Sequence, residues 1–182
     1  MKKNLVFFLI FISMFYSASG QTNSENTLQQ LPNGFNNIEL GMGIETVRTL
    51  LSEDPLFAYR GDPDVSMLPD SARSLIETQG RQYLDRAFFQ FNEDLLYIII
   101  LVLDRDRISF YSMYRALAEK YGEPDTVGPE EMVWINDDVR MSLERNLQIK
   151  YVDLDVFQEL RDQGRMEESL QEISRENFLN LF

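Results

Sequence analysis

The side chains in this chain best able to do chemistry are carboxylates, because the sequence holds no histidine and no cysteine. Without imidazole or thiolate there is no Ser-His-Asp or Cys-His triad, no His-bearing zinc site and no imidazole acid–base catalysis. After residue 20 the only lysines are Lys120 and Lys150, and neither sits in a Ser-x-x-Lys spacing. Gly41-Met42-Gly43 lacks the third glycine of a dinucleotide fingerprint, and no phosphate-cradling Walker sequence occurs. A glycosidase-type mechanism needs two carboxylates held apart across a cleft. Spacing singles out no such pair: Glu93-Asp94 and Asp137-Asp138 lie in turn sequences, and Glu130-Glu131 opens a strand or a helical turn. Gly61-Asp62-Pro63-Asp64-Val65-Ser66 offers oxygens of the kind calcium takes, yet departs from the twelve-residue helix–loop–helix pattern, and reads first as a rigid turn. Asp104-Arg105-Asp106-Arg107 reads as an ion-paired strand end. No cofactor and no metal is expected.

With catalysis disfavoured, apolar contact is the remaining kind of work. The chain carries 13 Phe, 8 Tyr and 1 Trp, enough for a core with aromatics to spare. In an extended strand Phe89 and Phe91 share one face while Phe88 takes the other, so rings need cover on both sides. If helices cover only one side, an aromatic patch remains for a partner. Trp134 sits in an apolar strand, where a core anchor is its first reading. Phe88, Phe89, Phe91, Trp134, Phe178 and Phe182 are the candidate contact residues.

The elements that must position them follow from periodicity and punctuation. Phe35 to Leu40 reads as a short strand, and Ile44, Val47, Leu50 and Leu51 recur at helical spacing until Asp54-Pro55. Residues 54–70 are loop-dominated, with an extended piece at Leu56 to Tyr59. A brief helix is expected over Ala72 to Thr78, closed by Gly80. Tyr83 to Phe91 and Leu95 to Leu103 form a hairpin turned by Asn92-Glu93-Asp94. The second of these strands has no polar group but the Tyr97 hydroxyl, which predicts a central strand covered on both faces. A helix over Ser109 to Tyr121 stops at Gly122, and strands follow at Met132 to Ile135, Val139 to Glu144 and Leu147 to Val152. The chain ends in helix, broken at Gly164, with Met166, Leu170, Ile173, Phe178 and Leu181 on the last segment. The expected class is α+β: a two-layer sandwich with helices on one face of a mainly antiparallel sheet. A helix before each group of strands raises the alternative of a helix-plus-hairpin unit used twice.

Lys2 and Lys3, the apolar run from Leu5 to Tyr16 interrupted by Ser13, and the small residues 17–20 have the layout of a cleavable secretory signal. Its removal takes the formal charge from −13 to −15, since it holds two lysines and no acid. That balance argues against nucleic acid and anionic lipid as partners. The division expected is 1–20 signal peptide, 21–34 flexible linker, 35–164 α+β domain and 165–182 C-terminal amphipathic helix. The mature chain has no expected membrane span; a periplasmic or secreted location follows, and oligomeric state stays open.

Asn37-Ile38-Glu39-Leu40-Gly41-Met42-Gly43-Ile44-Glu45-Thr46-Val47 resembles the I-x-L-G-M-x-x-x-x-V opening of small exported bacterial domains of the BamE/SmpA kind. Leu117-Ala118-Glu119-Lys120-Tyr121-Gly122-Glu123-Pro124, with Trp134 and then Leu143 to Tyr151, is similar to a pattern in uncharacterised exported proteins, spirochaetal ones included. The resemblance implies a two-layer α/β sandwich that binds other proteins, as in outer-membrane assembly accessories and β-lactamase inhibitor proteins. It carries over no catalytic residue. The chain departs from BamE lipoproteins in lacking the lipid-bearing cysteine and in its longer C-terminal helix. The function expected is a non-enzymatic binding or scaffold protein of the cell envelope, with an envelope or periplasmic protein as partner. The alternative is a carboxylate-based hydrolase or a calcium-dependent carbohydrate-binding domain.

Overall fold

The structure, a computed structural model, describes residues 29–67 and 73–179, with Met67 and residues 167–179 in backbone only. The expected signal segment, residues 21–28 of the expected linker and Phe182 lie outside the described residues, as does the side chain of Phe178. The end of that linker is tethered: the Gln29 amide donates to the Lys120 carbonyl at 2.8 Å, and Leu31 packs against the core.

A two-stranded hairpin, β1 (Gly34–Phe35) and β2 (Ile38–Glu39), leads into helix α1 (Ile44–Glu53). Val47 and Leu51, one turn apart, are its buried pair, and it ends at Asp54 ahead of Pro55. A 3-10 turn at Asp62–Asp64 opens β3 (Val65–Met67), and β4 (Arg73–Gln79) follows. The helix expected over 72–78 is therefore a strand. Ser74, Ile76 and Thr78 alternate inward against the neighbouring strand, and that two-residue period overrides local propensity. The Leu56–Tyr59 piece is reduced to one bridge, Phe57 with Gly80.

β5 (Leu84–Asn92) and β6 (Leu95–Leu103) form the expected hairpin. Glu93 and Asp94 both take positive φ, 49° and 64°, as a two-residue turn matched to strand twist requires. Helix α2 (Phe110–Tyr121) is capped by Ser109, whose Oγ accepts from the Ser112 amide at 3.1 Å. Gly122 ends it at φ 89°, a conformation that suits glycine. Then come β7 (Thr126–Val127), β8 (Glu131–Ile135), β9 (Val139–Glu144) and β10 (Gln148–Asp153).

The eight longer-range strands make one antiparallel sheet in the order β3-β4-β5-β6-β10-β9-β8-β7. Each half is a helix followed by a four-strand meander. The halves meet where β6 pairs with β10, from Gln148 opposite Val102 to Val152 opposite Ile98. Each half thus holds a helix with four strands rather than a helix with a hairpin.

Both α1 and α2 lie on one sheet face, where Val47, Leu51 and Leu117 close over Ile76, Phe89, Phe91, Ile99, Leu101, Met141 and Leu143. Full burial of each large side chain contributes roughly 1.5–3 kcal/mol, so this layer holds the fold together. Helix α3 (Leu154–Leu179) starts on the other face, with Val156 and Leu160 against Tyr97, Ile98, Ile100 and Val152. It runs straight through Gly164 instead of breaking there. One glycine costs a helix about 1 kcal/mol, and Gln158, Arg161, Asp162 and Arg165 bond along its surface around that point. No described helix is long and apolar enough to cross a membrane.

Candidate functional site

The sheet face opposite α1 and α2 is the less fully covered of the two. Strand alternation assigns its residues. Since Ile99, Leu101, Ile149, Tyr151, Met141 and Leu143 point into the helix-covered core, their neighbours Ile98, Ile100, Val102, Gln148, Lys150, Val152, Arg140, Ser142 and Glu144 belong to the other face. Cross-strand registers then give a continuous row: Glu77, Phe88, Ile100, Lys150, Ser142 and Val133, each paired with the next.

Beyond Val156 and Leu160 of α3, no described side chain of α3 covers this face: residues 161–166 are all exposed, Met166 by 67%. Leu75, Phe88, Ile100 and Val102 are consequently only half-buried, and Ile135 is 48% exposed. The expectation of a β6 covered on both faces is corrected in this respect. The strand is central, but among the described residues the α3 cover closes over Ile98 and reaches only part of Ile100.

Of the sequence-derived contact residues, the structure separates Phe88 from the rest. Phe89 and Phe91 are fully buried, Phe89 stacking edge-on against Phe57 at 5.8 Å between centroids. Trp134 is core too, its indole N–H donating to the Gly122 carbonyl at 2.8 Å. These three face the helices, so they hold the fold and present nothing to a partner.

What the residue reading missed is Lys150. It sits half-buried at the middle of the open face, opposite Ile100 on one side and Ser142 on the other. Among the described residues its ammonium has neither a hydrogen bond nor an ion pair. Ser142 is fully buried with no partner for its hydroxyl. Of the charges around it, Arg86 pairs with Glu77 at 2.9 Å and Arg140 with Glu131, while Glu144 stands on the neighbouring strand opposite Gln148, two residues along from the Lys150–Ser142 pair. The signal was available in the alternation of Gln148, Lys150 and Val152, but only once β10 had been placed beside β6.

The acidic loop is likewise committed. Asp64, buried, accepts from the Arg60 amide at 3.0 Å and from its guanidinium at 2.6 Å and 2.9 Å. Asp62 bonds Arg48, and with Tyr59 it holds that guanidinium more firmly protonated than usual. Among the described residues no group of carboxylates has metal-binding geometry. Glu130, Glu131 and Glu144 line an open depression of 310 Å³ beside Arg145, with Glu131 engaged by Arg140. That is a surface dip rather than a cleft enclosing a substrate.

The family model described as the TP0088 domain matches residues 33–163, which takes in α1, the whole sheet and the first turns of α3. No curated protein matches, and no solved structure does. The resemblance to BamE/SmpA domains and β-lactamase inhibitor proteins gains no support from these comparisons.

Proposed function

Because the chain belongs to the TP0088 domain family, matched across both halves of the sheet, we propose that the whole sheet is the working unit and that it serves as a non-enzymatic binding or scaffold protein. In this reading it is exported, as residues 1–20 suggest, and acts on an envelope or periplasmic protein. The observation that carries the reading is the asymmetry of the sheet. One face is sealed by two helices, while the other keeps half-buried Phe88, Ile100 and Val102 and, among the described side chains, takes helical cover from the start of α3 alone. Contiguous apolar surface on an otherwise heavily charged protein marks a site of contact. The absence of histidine and cysteine from the sequence supports binding over turnover.

A photoreactive phenylalanine analogue placed at position 100 tests this in intact cells. A discrete crosslinked envelope protein is expected there and not from position 111, where Tyr111 is 65% exposed on the helix side. Hydrolytic turnover by the purified mature chain, abolished by replacing a single carboxylate, would overturn the proposal.

A further inference from the structure

The strands of the open face do not share the strong acidity of the molecule. Across β4 to β6 and β8 to β10 that face carries Arg73, Arg86, Arg140 and Lys150 against Glu77, Glu131 and Glu144, in a chain whose formal charge is −13. Two of those carboxylates already have arginine partners, whereas Lys150 at the centre has none among the described residues. Lys150, half-buried between Ile100 and Ser142, has no ion-pair partner among the described residues, although Glu144 stands two residues along on the neighbouring strand.

Building on the protein-contact reading, we propose that this face receives a protein segment that is acidic and apolar together. Apolar side chains of that segment lie over Phe88, Ile100 and Val102, and one carboxylate reaches Lys150. The apolar part supplies most of the binding, and the charge pair fixes the register and excludes basic competitors, which bring a like charge to Lys150. A free fatty acid has the same two chemistries, but small ligands are held in concave sites that bury most of their surface. This face is a broad sheet, and the depression at its β3–β5 edge, lined by Ser66, Glu77, Gln79 and Arg86, is open and only 260 Å³.

The test sets local against global electrostatics. Two labelled amphipathic peptides share one leucine frame, one carrying glutamates and the other lysines, and each is titrated by fluorescence polarisation at about 0.15 M salt, where exposed charges more than about 8 Å apart are screened. The mature chain, residues 21–182, is the receptor. Net charge alone favours the lysine peptide. The inference predicts that the glutamate peptide binds about tenfold tighter, that Lys150→Met abolishes this preference while keeping apolar binding, and that Lys150→Glu reverses it. Circular dichroism on each variant verifies the fold, and Lys150→Met, which keeps most of the side chain's length and removes its charge, remains interpretable if Lys150→Glu fails to fold. Tighter binding of the lysine peptide, or a preference that Lys150→Met leaves intact, overturns the inference. So does failure of both peptides to bind, and crosslinking at position 100 would then still decide the broader reading. A wild-type dimer dissociated by Lys150→Met would overturn the separate partner and give the face to a second copy of the chain.

Discussion

Replacing each of two adjacent phenylalanines by alanine tests the assignment of the two sheet faces. Phe89 is fully buried, paired across strands with Ile76 and Ile99 and stacked edge-on with Phe57. Truncation there removes transfer energy and leaves a cavity the core cannot fill, a cost of about 3–5 kcal/mol. Phe88 is half-buried with solvent above it, so Phe88→Ala forfeits roughly half of the 1.5–3 kcal/mol that full burial supplies, about 1 kcal/mol. With a urea slope of about 2 kcal/mol/M, the midpoint falls by roughly 2 M for Phe89→Ala and by roughly 0.5 M for Phe88→Ala. Fluorescence of Trp134, the sole tryptophan, reports the transition. Phe89→Leu, at about 1 kcal/mol, keeps the comparison readable if the alanine variant does not fold. Equal losses, or a larger loss at Phe88, would refute the argument, because a one-residue slip exchanges the two faces of a strand.

Burial holds the Tyr151 phenol well above its ordinary ionisation range. The unfolded chain releases that proton first as pH passes about 10, so the contribution is fully present below that pH and declines above it. The decline is at most about 1.4 kcal/mol per pH unit, and urea midpoints measured from pH 9 to 11 should fall less steeply for Tyr151→Phe than for wild type. Trp134→Phe leaves the Gly122 carbonyl without its donor and should lower stability by about 1–3 kcal/mol in the same assay; Tyr fluorescence or circular dichroism then follows unfolding. Ser109→Ala removes the α2 cap and should cost about 1 kcal/mol, read as a melting temperature lower by roughly 2–4 °C.

Much of the architecture is legible in the sequence wherever period and punctuation agree. Val47 and Leu51 before Asp54-Pro55, Leu117 before Gly122, and Val139, Met141 and Leu143 between turn sequences all lie where their spacing puts them. Arg73–Gln79 misleads because Leu75 and Ile76 suit a helix turn as well as a strand, and the choice is made by β5, a partner distant from any local signal. The open face is legible in one residue: the separation of Phe88 from Phe89 and Phe91 follows from strand geometry alone. Lys150 is not legible, since its place depends on β6 pairing with β10, which no local pattern encodes.

That pairing also bears on how the molecule assembles. Other neighbouring strands in the eight-stranded sheet are consecutive along the chain and can zip as local hairpins, whereas β6 must wait for β10, made some 45 residues later. Until then Leu95–Leu103, nine residues without a charge or a proline, is an unprotected edge of the kind that templates aggregation. Ile149 and Tyr151 therefore guard solubility as well as filling the core. A newly made chain is at greatest risk of misassembly during the interval before they arrive.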